Sequence, residues 1–116
     1  MNTAQEIREI TMDARAKMRE DSKNNIDTVV MHYLYPEMHK RACSGHTSCE
    51  IMIPDKYRGI DCIGSYLWLI EGKGKNEKTI KVYVDDILDF LRKLGYDVSA
   101  PSWTQVFIIS WKGVEV

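Results

Sequence analysis

Residues 43–54 read "CSGHTSCEIMIP", and the hydrophobic period changes inside them. Upstream, apolar side chains recur every three or four residues, as on one face of a helix. From Thr47 onward they alternate: Cys49, Ile51 and Ile53 fall on one side, Ser48, Glu50 and Met52 on the other. Alternation marks a half-buried strand, and Pro54-Asp55 stops it. Gly45, at the junction, suits the left-handed residue that ends a helix. The stretch predicts an α+β protein in a single domain over 1–116, with helices over about 3–44 and a sheet-containing region over 46–116.

Upstream, Thr3-Ala-Gln-Glu6 is a capping box, and Ile7, Ile10, Ala14 and Met18 follow at helical spacing. The stripe weakens at Ser22–Asn25, whose residues have poor helix propensity, and resumes with Ile26, Val29, Val30, Tyr33 and Leu34. Two helical segments are expected. Pro36 should kink or restart the helix, leaving 37–44 as a last helical stretch. The apolar stripe runs further than one small sheet can cover, which predicts a homo-oligomer.

Downstream, residues 55–65, with Gly59 and Gly64, read as loop; Tyr66–Ile70 reads as a strand and 71–78 as a polar turn. Residues 79–94 fit both periods at their start. We expect a strand over 80–84, then a helix over about 85–94 capped by Gly95. Tyr96–Ser99 and Thr104–Trp111 are the last strands, around a turn at 100–103. The sheet should be mainly antiparallel.

Sixteen basic and seventeen acidic residues leave a net charge of −1, without the basic excess of a nucleic-acid binder. Residues 1–25 alternate charges where a secretion signal needs an apolar segment, and the longest apolar run, Tyr66–Ile70, is too short for a bilayer. A cytoplasmic protein with free thiols is the expectation, without membrane partners.

Four patterns bear on chemistry. His39, Cys43, His46 and Cys49 have the residue types of a zinc site. Cys49, however, belongs to the alternating apolar face, where a thiol behaves as a small core residue. We expect no cofactor, with zinc on those four residues as the alternative. Second, "GKGKNEKT" (72–79) resembles a phosphate-binding loop, but Glu77 stands where the second glycine belongs. A mobile turn is the better account, although Lys73 and Lys75 could clamp an anion. Third, Asp85, Asp86 and Asp89 open a helix, where acids favour the dipole. No serine or cysteine has a visible partner base, so no catalytic residue is assigned. Fourth, Tyr57 and Trp103 fall in expected loops, where aromatic side chains anchor partners. Tyr57, Arg58, Lys73, Lys75 and Trp103 are the candidate binding residues, on the loops 55–65, 71–78 and 100–104.

"TAQEIREIT" (3–11), "ACSGHTSCEIMIP" (42–54), "ILDFLRKLGYDVS" (87–99) and the closing "ISW" (109–111) together resemble small accessory proteins of phages and prophages of Gram-positive bacteria. Residues 55–78 read as an insertion in that plan. The resemblance implies a non-catalytic protein, made in the infected host cytoplasm, that captures or inhibits a host target: a defence protein or a nucleotide-like signal. A virion or assembly component and a small zinc-binding regulator are the alternatives.

Overall fold

The computed structural model describes residues 3–101 and 106–113. Helix α1 spans Ala4–Asn24, and Thr3 caps it by accepting the Glu6 N–H at 3.2 Å. The Glu6 carboxylate accepts from the Thr3 hydroxyl rather than from its amide. The chain breaks step at Asn25 (φ −117°, ψ 9°) and continues as the short helix α2, Ile26–Val29. A single π turn, Val30–Leu34, leads into α3, Tyr35–Cys43. Pro36 has no N–H to give, and the turn widens just ahead of it: the Tyr35 N–H bonds to Val30 O. The expected kink is thus absorbed as a widened turn.

Strand β1 is Ser48–Met52, with Cys49 and Ile51 buried and Ser48, Glu50 and Met52 exposed, as the alternation requires. A one-turn 3-10 helix, Asp55–Tyr57, follows, then β2 (Arg58–Ile60), β3 (Ser65–Glu71), β4 (Lys78–Tyr83) and α4 (Val84–Lys93). Strands β5 (Asp97–Ser99) and β6 (Val106–Ser110) close the order. The switch from strand to helix at 83–84 is where the sequence placed it, within a residue.

The architecture is α+β, but the strands form two antiparallel sheets of three, ordered β1-β6-β5 and β2-β3-β4, rather than one. Pro54 and the turn at 55–57 end the first sheet's edge strand, and a new hairpin system starts beyond them. Within the expected loop, Arg58–Ile60 pair with Leu67, Tyr66 and Ser65. Gly59 is needed there because the Tyr66 ring lies where a side chain would be. Nor is 55–78 peripheral: β3 delivers Leu67 and Leu69 to the core.

One continuous apolar cluster joins both sheets to α2, α3 and α4, with Val29, Leu34, Leu67, Val82, Ile87 and Ile109 wholly buried. Helix α1 is different: every residue from Thr3 to Lys17 is exposed. It is about 31 Å long at 1.5 Å per residue, and its first four turns extend off the body. The radius of gyration is accordingly 16.8 Å, against about 13 Å for a compact chain of this length. No helix among the described residues is long and apolar enough to cross a membrane.

Candidate functional site

Two helix ends frame an apolar recess. At the end of α3 the His46 N–H bonds to Arg41 O and the Gly45 N–H to Ala42 O, with Gly45 at φ 86°. At the end of α4 the same pair recurs: Tyr96 N–H to Leu91 O, and Gly95 N–H to Arg92 O, with Gly95 at φ 99°. Both are Schellman caps, and each turns the chain sharply off its helix. The second cap sets Tyr96 beside Trp111, ring centroids 6.5 Å apart and edge to face. Trp111 is held in turn by its N–H to Thr47 O at 2.9 Å.

Opposite them, Tyr35, Met38, His39 and Ala42 share one side of α3 and close an open groove of about 370 Å³. Leu94, 61% exposed, forms part of the wall. The Tyr35 and His39 rings lie 5.7 Å apart, and a His39 ring nitrogen is 3.8 Å from the Cys43 sulfur. Among the described residues no lysine or arginine lines the groove.

The chain matches no family model, no curated protein and no solved structure.

The residues singled out by sequence are not gathered at this groove. Tyr57 is half-buried and packs between Tyr33 and Trp68, at 5.7 and 6.1 Å between ring centroids. Its ring extends the core instead of standing free, and Lys56 lies over it at 4.9 Å. Arg58 sits in β2, opposite Leu67. Lys73 and Lys75 are exposed on the β3–β4 hairpin, Lys73 just ahead of a 3-10 turn at Gly74–Asn76 and Lys75 within it. Trp103 lies outside the described residues. Of the four zinc candidates, His39 and Cys43 are neighbours on α3, and His46 follows the capping glycine. Cys49 points into the core, 6% exposed, where burial pushes its thiol pKa up. Among the described residues no three His, Cys, Asp or Glu side chains are grouped to hold a metal.

Sequence reasoning missed a polar network whose residues do not line the groove. Asp61 accepts from the Lys81 ammonium at 2.6 Å, the Tyr83 hydroxyl at 2.8 Å and the Ile63 and Gly64 N–H groups at 2.9 and 3.2 Å. Burial works against its charge, yet these four donors hold its carboxyl far below the usual range. Burial and the Asp61 carboxylate together push the Tyr83 phenol well above its ordinary value. Nearby, Ser22 is fully buried; its hydroxyl donates to Asp86 at 2.7 Å and accepts the Tyr83 N–H at 3.0 Å. Arg19 completes the arrangement, 3.3 Å from Asp86 and 4.9 Å from the Tyr83 ring centroid. A fully paired network of this kind fixes α1, β4 and α4 to one another. The signal that could have found it is a lone serine on the apolar side of α1, in phase with Met18.

Proposed function

We propose that this chain is a non-catalytic binding protein that captures a protein partner by receiving an aromatic or aliphatic anchor side chain in the groove between α3 and the end of α4. The groove itself carries the reading. Its walls include two tyrosines and a tryptophan, the aromatic types enriched in binding hot spots, beside methionine and leucine, and its volume suits a single large side chain or a small ligand. Leu94 supports it further, since exposing a leucine beside three aromatic rings leaves apolar surface for a partner to cover.

The nucleotide-like ligand has less support. A phosphate would find no lysine or arginine among the described lining residues. It would also face the C-terminal, partly negative end of α4. A non-catalytic role fits the ionisable groups with the largest shifts. Asp61 and Tyr83 are bonded to each other, one pushed down and the other up, so neither changes charge near neutral pH. The sequence resemblance to phage accessory proteins is what points to a host protein as the proposed partner and to the host cytoplasm as the proposed location.

Selection from a random peptide display library tests this. Enriched peptides should share an aromatic or large aliphatic anchor, and their binding should fall at least tenfold in Leu94→Asp while surviving Lys73→Ala/Lys75→Ala. Calorimetry with a panel of nucleoside mono- and diphosphates should give no heat of binding. Peptides indifferent to Leu94→Asp, or a nucleotide whose binding Leu94→Asp abolishes, would overturn the reading.

A further inference from the structure

The exposed part of α1 carries a pattern that the groove does not use. Ile7 and Ile10 are 51% and 56% exposed. With Ala14 and Met18 they form one stripe, in phase with the buried Ser22 further along the same helix. The stripe therefore continues the core-facing side of α1 beyond the edge of the body. A segment of this length without tertiary contacts is marginal as a helix in water, so its apolar side calls for a cover.

The charges beside the stripe indicate what that cover is. "EIR" at 6–8 and "DAR" at 13–15 repeat an acid, an apolar residue and an arginine seven positions apart. At about 100° per residue, Arg8 and Arg15 lie about 80–100° to one side of Ile7, and Glu6 and Asp13 about 100–120° to the other. One flank is basic and the other acidic, with Lys17 as the exception on the acidic side. Among the described residues Arg8, Asp13, Arg15 and Lys17 make no ion pair within the chain. When two copies of such a helix face each other in parallel, the basic flank of one meets the acidic flank of the other on both sides. Antiparallel, each flank meets its own sign, and like charges held opposite each other are unfavourable.

We infer that the projecting part of α1 is a dimerisation arm that pairs in parallel with the same segment of a second copy, seamed by Ile7, Ile10, Ala14 and Met18 and oriented by its oppositely charged flanks. Parallel pairing places both bodies at one end of the arm, so the two α3–α4 grooves belong to one bivalent particle. The arm shares no residue with the groove, and either can fail without the other.

The test is sedimentation equilibrium, with circular dichroism melts as a check on folding. The wild type should be a dimer in the micromolar range. Ile7→Glu/Ile10→Glu should sediment as a monomer with its melting cooperativity retained, because neither side chain packs on the body. Arg8→Glu/Arg15→Glu and Glu6→Arg/Asp13→Arg should each be monomeric, and an equimolar mixture should recover the dimer. Orientation is read in a Cys43→Ser/Cys62→Ser background: Ile7→Cys and Ala14→Cys should each self-crosslink under mild oxidation. A wild type that stays monomeric, a dimer that survives Ile7→Glu/Ile10→Glu, or crosslinking at no more than one of the two positions would overturn the inference.

Discussion

Replacing Ser22 with alanine removes two hydrogen bonds by deleting one oxygen. The hydroxyl donates to the Asp86 carboxylate at 2.7 Å and accepts the Tyr83 N–H at 3.0 Å, in a site with no solvent exposure. A hydrogen bond to a charged group contributes about 1.5–3 kcal/mol, and a buried N–H without an acceptor costs about 1–3 kcal/mol. Two effects work the other way. Arg19 remains 3.3 Å from Asp86 and still partners the charge, and alanine is the better helix former by about 0.5 kcal/mol. The net expectation is a loss of about 2–3 kcal/mol, or about 10 °C in melting temperature for a chain of this length. Urea and thermal unfolding of the wild type and Ser22→Ala would measure it. Ser22→Ala combined with Asp86→Ala should cost less than the sum of the single changes, because both remove the same bond. A loss below about 0.5 kcal/mol, or strict additivity of the two, would refute the network as the tie between α1 and the sheet.

Four further outcomes are expected. Asp61 has a folded pKa below its unfolded value of about 3.9, so its contribution is present above that pH and lost as the pH falls further. The stability gap between wild type and Asp61→Asn should therefore be about 1–3 kcal/mol at pH 7 and narrow steadily below about pH 4. Tyr83, shifted the other way, contributes below its unfolded pKa of about 10 and loses that contribution at higher pH, so Tyr83→Phe should flatten the alkaline limb of the same titration. Gly95→Ala forces a side chain into φ 99° and should cost about 1–2 kcal/mol in equilibrium unfolding. Cys43 and His46 are both exposed, so Cys43→Ala/His46→Ala should shift the unfolding free energy by less than about 1 kcal/mol, and added zinc should not raise the melting temperature of the wild type.

What could be read from the sequence is what local physics decides. The alternation of Cys49, Ile51 and Ile53 fixed a strand and its buried face, because a period of two leaves no choice about which side chains go in. Gly45 and Gly95 fixed two helix ends, because both adopt a positive φ that only glycine takes at low cost. Ser22–Asn25 was legible only in part. Propensity predicted a break there, and the helix does break at Asn25, but not before it: α1 runs on through Ser22, because a buried partner, 64 residues away at Asp86, outweighs a few tenths of a kcal/mol. The division into two sheets was equally invisible. Val106–Ser110 inserts between β1 and β5, and no period in the chain encodes which strand lies beside which.

The groove was missed for the same reason, although its parts were in view. Its lining comes from residues 35–42, 94–96 and 111, three segments that only the tertiary fold assembles. The sequence points instead to loops, where aromatic rings with no periodic face stand out. That criterion fails for Tyr57, because a half-buried ring between Tyr33 and Trp68 is already used in packing. Applied to element ends, the same criterion succeeds. Tyr96 directly follows a capping glycine and Trp111 directly follows the last strand, so neither is placed by its element's buried face. A large ring one step past the end of an element has to find its own partner. When two such rings meet edge to face beside a helix that presents Tyr35 and His39, the apolar surface left between them is what another molecule would have to fill.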